Sequence, residues 1–272
     1  MHAADNDPAP AGPEDGTRKG PPGDPDFMLS LARGLHVLQA FSDQRRSLTI
    51  AQISHRTGIP RASVRRCLHT LIQLGYAHAQ GNHFSLEPKV LSLGYSYLSS
   101  TPLTVSAHPY LNRISRSLNE SCSLAVLQDD EVLYVGRSAA SRIMSVSLTT
   151  GSRLPAYCTA LGRALLAHLP APELDAYLAR VPLKAMTELT VVNPERLVAV
   201  LAQVRQAGHA LVEEELEIGL RSIAVPVRGA SGNVLAALNV GAHAARVSKR
   251  KMEEEFLPAM LAGAQELSIL LP

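Results

Sequence analysis

The sequence predicts an α+β protein with a small N-terminal winged helix-turn-helix, a helical linker and a larger C-terminal domain. Three observations carry this. Two short helical patterns flank Gly58-Ile59-Pro60 and run into a small hairpin. Positive charge is confined to the same stretch. Beyond it hairpin patterns dominate and no strand–helix–strand crossover recurs, so the second sheet is expected to be mainly antiparallel.

The net charge of +2 over 272 residues hides a strong asymmetry. Residues 1–26 carry −4, residues 87–272 balance to zero, and residues 27–86 carry +6, from seven arginines against Asp43 alone. A helix-turn-helix with that balance suits a polyanion, which points to double-stranded DNA. Residues 1–26 are rich in Pro, Gly and Asp with almost nothing to bury, so a disordered tail is expected. They have no signal-peptide pattern, and no stretch is long and apolar enough to span a bilayer. Cys67, Cys122 and Cys158 form no metal spacing and leave an odd thiol, which suits a reducing cytoplasm.

The first helix is expected from Ser30, read as its N-cap, with Leu31, Leu35, Leu38 and Phe41 forming a buried face. The second starts at Thr49, turns Ile50 and Ile53 inward and stops at Gly58. Pro60 disfavours helix at Ile59 and opens the third helix, about Arg61 to Leu74. Val64, Cys67, Leu68, Leu71 and Leu74 form its core face, with Cys67 read as a small core residue. Arg61, Ala62, Ser63, Arg65, Arg66 and His69 form the opposite face. A helix fits the major groove, where arginine reads guanine or grips phosphate. Arg61, Ser63 and Arg65 are expected at base edges, and Arg66 and Arg56 nearer phosphates. Tyr76–Ala79 and His83–Leu86 alternate as short strands around Gln80-Gly81-Asn82. This is the expected wing, with Gln80, Asn82 and His83 near the backbone or minor groove. His78 and His83 lack further ligands, so no metal is expected.

Residues 27–87 thus form the DNA-binding domain and 88–103 a linker helix, apolar at Val90, Leu91, Tyr95 and Leu98, as packing in a dimer would require. In the remaining domain, 104–272, a helix is expected over Val105–Leu118. Strands are expected at Ser123–Leu127, Val132–Arg137, Ile143–Leu148, Ile223–Val227 and Val234–Val240. Helices follow at Thr159–Leu169, Pro172–Arg180, Pro194–Ala207 and Ser248–Leu271.

FMLSLARGLHVLQAF, the helix-turn-helix with its wing, LSLGYSYLSS, RIMSVSL, GSRLPAYCTALGRALLA, GLRSIAVPV and AALNV together resemble the IclR family of bacterial transcriptional regulators. SLARGL, LGYSYLSS and RIMSVS resemble its Pca/Pob branch, which controls aromatic acid catabolism through the β-ketoadipate pathway. The resemblance implies an effector domain related to GAF and PAS folds, a curved antiparallel sheet enclosing a small organic acid. It also implies a homodimer, often paired into a homotetramer. Pocket positions carried over from the family fall on Ala160, Leu161, Val212, Ser222, Asn239 and Gly241. Val212 stands where other members have an acidic residue, and Asn239 and Gly241 replace serines.

The residues themselves agree with an acid ligand. Backbone N–H groups at the Thr159 helix start suit a carboxylate. Ser222 and Asn239 can hydrogen-bond, Met144, Leu161 and Val212 can wall the site, Arg142 is a counter-ion candidate, and Tyr157 can stack or hydrogen-bond. Thr159 as a plain helix cap and Arg142 as a solvated cation are the bland alternatives. No cofactor is called for. A cysteine enzyme using Cys122 or Cys158 with His168, or acid–base work by Glu213-Glu214-Glu215, is the alternative of another class. Neither set has a partner in a recognisable motif, the triple glutamate reads as a solvated edge, and an enzyme would leave the helix-turn-helix unexplained. The expected mechanism is ligand control of operator affinity or of contact with RNA polymerase.

Overall fold

The computed structural model describes residues 24–42, 45–140 and 148–271. Most of the N-terminal tail, the expected strand up to Ser147 and the candidate ligands Arg142 and Met144 lie outside the described residues. The chain divides between Ser96 and Tyr97 into two compact units.

The first unit contains α1 (Leu29–Gln39), β1 (Ser47–Thr49), α2 (Ile50–Thr57), α3 (Arg61–Gln73), β2 (Ala77–Gln80) and β3 (His83–Leu86). Local chemistry sets its boundaries. Thr49 and Gln52 form a reciprocal capping box at the start of α2. Gly58 ends that helix at φ +70°, in the left-handed region that a side chain disfavours. Val37, Ala40, Ile53, Ile59, Val64, Leu68 and Leu71 close the core. The third strand, β1, completes a β1-β3-β2 sheet with Leu48 opposite Phe84. Three residues are too few to show alternation, and this strand was not expected.

Helix α1 corrects two expectations. It starts on Met28, whose carbonyl accepts from Ala32 N, so Ser30 lies inside the first turn and caps nothing. Its buried stripe is Val37 and Ala40, while Leu31 and Leu35 are 58 % and 48 % exposed. Leu38 and Phe41 of the expected face pack against the core, partly buried, while Leu31 and Leu35 line a groove whose other wall is α3. Leu74, assigned to the core face of α3, follows that helix as its C-cap and is also exposed.

The first unit continues through a 3-10 turn (Pro88–Val90) into α4 (Leu91–Ser100), which has no buried residue and contains the division at Ser96 and Tyr97. Helix α5 (Pro102–Leu118) opens the second unit's main body. It is followed by β4 (Ser121–Gln128), β5 (Glu131–Ser138), β6 (Arg153–Pro155), α6 (Ala160–Leu166), α7 (Ala171–Arg180) and α8 (Pro194–Ala207). β7 (Ala210–Glu213), β8 (Leu220–Arg228) and β9 (Val234–His243) complete a curled sheet in the order β6-β5-β4-β9-β8-β7, antiparallel throughout. The short β6 and β7 were not expected. The closing helix is broken into α9 (Lys249–Lys251), a π turn (Met252–Phe256) and α10 (Leu257–Ile269). The π turn falls just before Pro258, which has no N–H to donate.

Period-two alternation sorts the strands between two layers. Ile223, Val225 and Val227 of β8 join Leu238 and Val240 of β9 against α5 and α10. Ala224 and Ala237 face α6 on the other side. There Gly162 is needed for close approach, because a Cβ at this position would lie 2.0 Å from the Ala156 carbonyl oxygen. No helix among the described residues is long and apolar enough to cross a membrane.

Candidate functional site

The α6 face of the sheet carries a pocket floored by two rows of side chains. Register places Arg137 of β5 beside Ser123 of β4, Ser123 beside Asn239 of β9, and Asn239 beside Ala224 of β8. The neighbouring row runs Ser121, Gly241, Ser222, Val212 across β4, β9, β8 and β7. Leu148, Leu154, Leu216 and Leu220 add apolar wall, and Thr159 and Ala160 approach from α6. The free volume enclosed at its centre is about 50 Å³.

Six expected residues line this pocket: Thr159, Ala160, Val212, Ser222, Asn239 and Gly241. Two others do not. Leu161 is fully buried in the core under α6. The Tyr157 hydroxyl donates to the Lys184 carbonyl at 2.7 Å and accepts from Lys184 N at 3.2 Å, so it is committed to a loop. Thr159 acts as the helix cap: its Oγ1 accepts from Gly162 N and donates to the Pro155 carbonyl. Helix α6 has seven residues, and its Gly162 N–H is taken by Thr159 Oγ1.

The pocket also contains two charged residues that were not assigned to it. Glu215 is 7 % exposed and is no solvated edge. Both its oxygens take a 2.6 Å bond from the Arg163 guanidinium, and one also accepts from Val191 N at 2.9 Å. Thr190 Oγ1 donates to the Glu215 carbonyl at 2.6 Å. The pair is charge-balanced, and it fastens the wall after β7 to α6 and to the 190–191 loop. Arg137 is different. Its Nη1 donates to Ser123 Oγ at 2.9 Å, and its buried Nε has no partner. Burial pulls its pKa below the ordinary arginine value, and the nearby groups opposing that shift are Tyr134 and Cys122, not a carboxylate.

A β-bulge explains how Arg137 reaches this face. Gly136 pairs with Leu124, but Tyr134 pairs with Ala125, so Val135 is an extra residue. Val135 joins the core against α5, and a Cβ on Gly136 would meet Leu111 of α5. Two consecutive residues therefore face one way, and Arg137 turns to the pocket. Strict alternation from Val132 and Tyr134 would point it to the other layer, against α5.

A thiol enzyme finds no support in this geometry. Cys158 lines the pocket, but burial pushes its thiol up to about 12. His168 holds its Nδ1 2.8 Å from the Ala164 carbonyl, within its own helical turn. Cys122 is fully buried in the opposite layer. No group of three metal-ligating side chains occurs among the described residues.

In the first unit, Arg61, Ala62, Arg65, Arg66 and His69 are exposed along α3, and Gln80, Asn82 and His83 at the hairpin tip. Arg56 is exposed at the end of α2. Ser63 departs from its expected place at base edges. It lines the groove between α3 and α1, 3.5 Å from Arg33 Nη1, and Arg66 borders the same groove. At about 100° per residue, Ser63 lies well round the helix from Arg61 and Arg65. His78 pairs with Glu87 at 2.7 Å. Cys67 borders the groove half-buried, its thiol pushed up by burial.

A basic helix-turn-helix joined to a domain with a small-molecule pocket defines a one-component, ligand-responsive transcriptional regulator. The family descriptions "IclR helix-turn-helix domain" and "Bacterial transcriptional regulator IclR C-terminal" match residues 30–81 and 95–269, and the chain belongs to the IclR family of transcriptional regulators, which are not enzymes. It is 58 % identical over 246 residues to the Pca regulon regulatory protein of Pseudomonas putida, covering 90 % of this chain and 84 % of that one. It is 36 % identical to the p-hydroxybenzoate hydroxylase transcriptional activator of Acinetobacter baylyi, over 89 % and 91 % of the two chains. Among solved structures it is similar to an IclR homologue from Microbacterium hydrocarbonoxydans complexed with 4-hydroxybenzoate. That similarity has a TM-score of 0.75 at 25 % identity and covers 89 % of this chain and 98 % of the other.

Proposed function

We propose that the protein regulates genes of aromatic acid catabolism, in the β-ketoadipate branch, in response to a small aromatic acid or a ring-cleavage carboxylate. The observation that carries this reading is the 58 % identity to a Pca regulon regulator along nearly the whole chain. The pocket supports it: apolar walls surround a few polar groups, as binding a single-ring or short-chain acid requires.

The regulator works in the cytoplasm as a homodimer that can pair into a tetramer. Two α3 helices enter successive major grooves of a near-palindromic operator, with Arg61, Arg65 and the wing residues on the DNA. Acid binding acts through the 88–103 segment to change operator affinity or contact with RNA polymerase. This requires the acid to have different affinities for the two arrangements. Calorimetric titration of the full chain with protocatechuate, 4-hydroxybenzoate and β-ketoadipate tests the ligand class. Saturable heat from at least one is expected, and heat from none overturns it.

A further inference from the structure

We infer that Arg137 is the carboxylate anchor of the pocket and its principal specificity-determining residue. The inference rests on the acid-ligand reading above and sharpens it to one side chain. The two charged residues that line the pocket differ in their commitments. Glu215 spends both oxygens on Arg163, so it neither attracts a cation nor leaves a bare negative charge facing a ligand. Arg137 has one hydrogen bond, to a neutral serine hydroxyl, and no carboxylate pairs with it among the described residues.

An unpaired guanidinium in a part-buried site is costly unless an anion completes it, and its planar fork suits a carboxylate. The buried Nε without a partner marks the edge of the fork that remains to be used. Asn239 lies two strands away in the same row, and its buried Oδ1 is also without a partner. A ligand with a carboxylate at one end and a hydroxyl further along satisfies both: the carboxylate accepts from Arg137, and the hydroxyl donates to Asn239 Oδ1. Gly241 and Ser222, in the adjoining row, leave room beside it.

The test uses the full-length protein, titrated with 4-hydroxybenzoate, protocatechuate and β-ketoadipate, each beside its methyl ester. The parent is expected to prefer acid over ester. Arg137→Gln keeps a donor for Ser123 and removes the charge; it should weaken acid binding on the order of a hundredfold and erase the acid-over-ester preference. Arg137→Lys should weaken binding less and keep the preference. Should Arg137→Gln fail to fold, the lysine variant decides, since loss of preference with the charge retained overturns the anchor. If the parent binds an acid and Arg137→Gln binds it equally well with the same preference, the anchor alone is wrong. If the parent binds no acid of the panel, the ligand class falls and takes the anchor with it.

Discussion

Arg163, behind the pocket wall, and Arg137, on its floor, show how one residue type takes opposite roles. Arg163 is 3 % exposed and fully engaged, by Glu215 and by the Tyr157 carbonyl at 2.9 Å. Removing one member of such a pair leaves an uncompensated buried charge. Arg163→Met should therefore lower unfolding stability by about 3–5 kcal/mol in urea, while the Arg163→Met/Glu215→Leu double variant recovers a good part of the loss. Equal instability in the double variant would show that the two side chains act separately. Neither residue's role was legible. Glu215 ends a run of three glutamates whose identity alone suggests solvent, and only the fold separates it from Glu213, which pairs with Arg221. Ser222, Asn239 and Gly241 were legible because their strands carry family motifs, and Val212 was carried over as a family position on a strand that was not expected. Arg137 was hidden by the bulge at Val135, a one-residue insertion that reverses facing and leaves no composition signal.

At the scale of elements, boundaries set by local chemistry were readable and those set by tertiary pairing were not. The Thr49 cap, the Gly58 stop and the start of α8 at Pro194 follow from the chain's own residues. The strands β1, β6 and β7 exist because a neighbouring strand offers a ladder, and segments of three or four residues cannot announce that. The face of α1 was legible in part: Leu38 and Phe41 pack against the core, while Leu31 and Leu35 stay exposed along the groove beside α3. On α3 the exposed arginines yield a direct expectation. Arg65→Ala should weaken operator binding and reduce the slope of log affinity against log salt by about 1, measured by fluorescence anisotropy. An unchanged affinity and slope would mean that this face does not meet DNA. Ser63→Ala should change both much less, because Ser63 faces the α1 groove.

For the whole molecule, the division of labour follows the charge. The +6 segment carries the helix-turn-helix, and the charge-balanced remainder carries a pocket whose one described lining cation, Arg137, has no carboxylate partner among the described residues. An acid in that pocket is proposed to control DNA binding, and thermodynamic linkage makes this measurable in both directions. The most direct measurement is operator affinity at fixed salt with and without saturating acid, paired with acid affinity with and without operator. The two ratios should differ from one and agree with each other, and Arg137→Gln should bind operator normally while losing the response. Operator affinity indifferent to a demonstrably bound acid, with no change at the promoter, would contradict the claim.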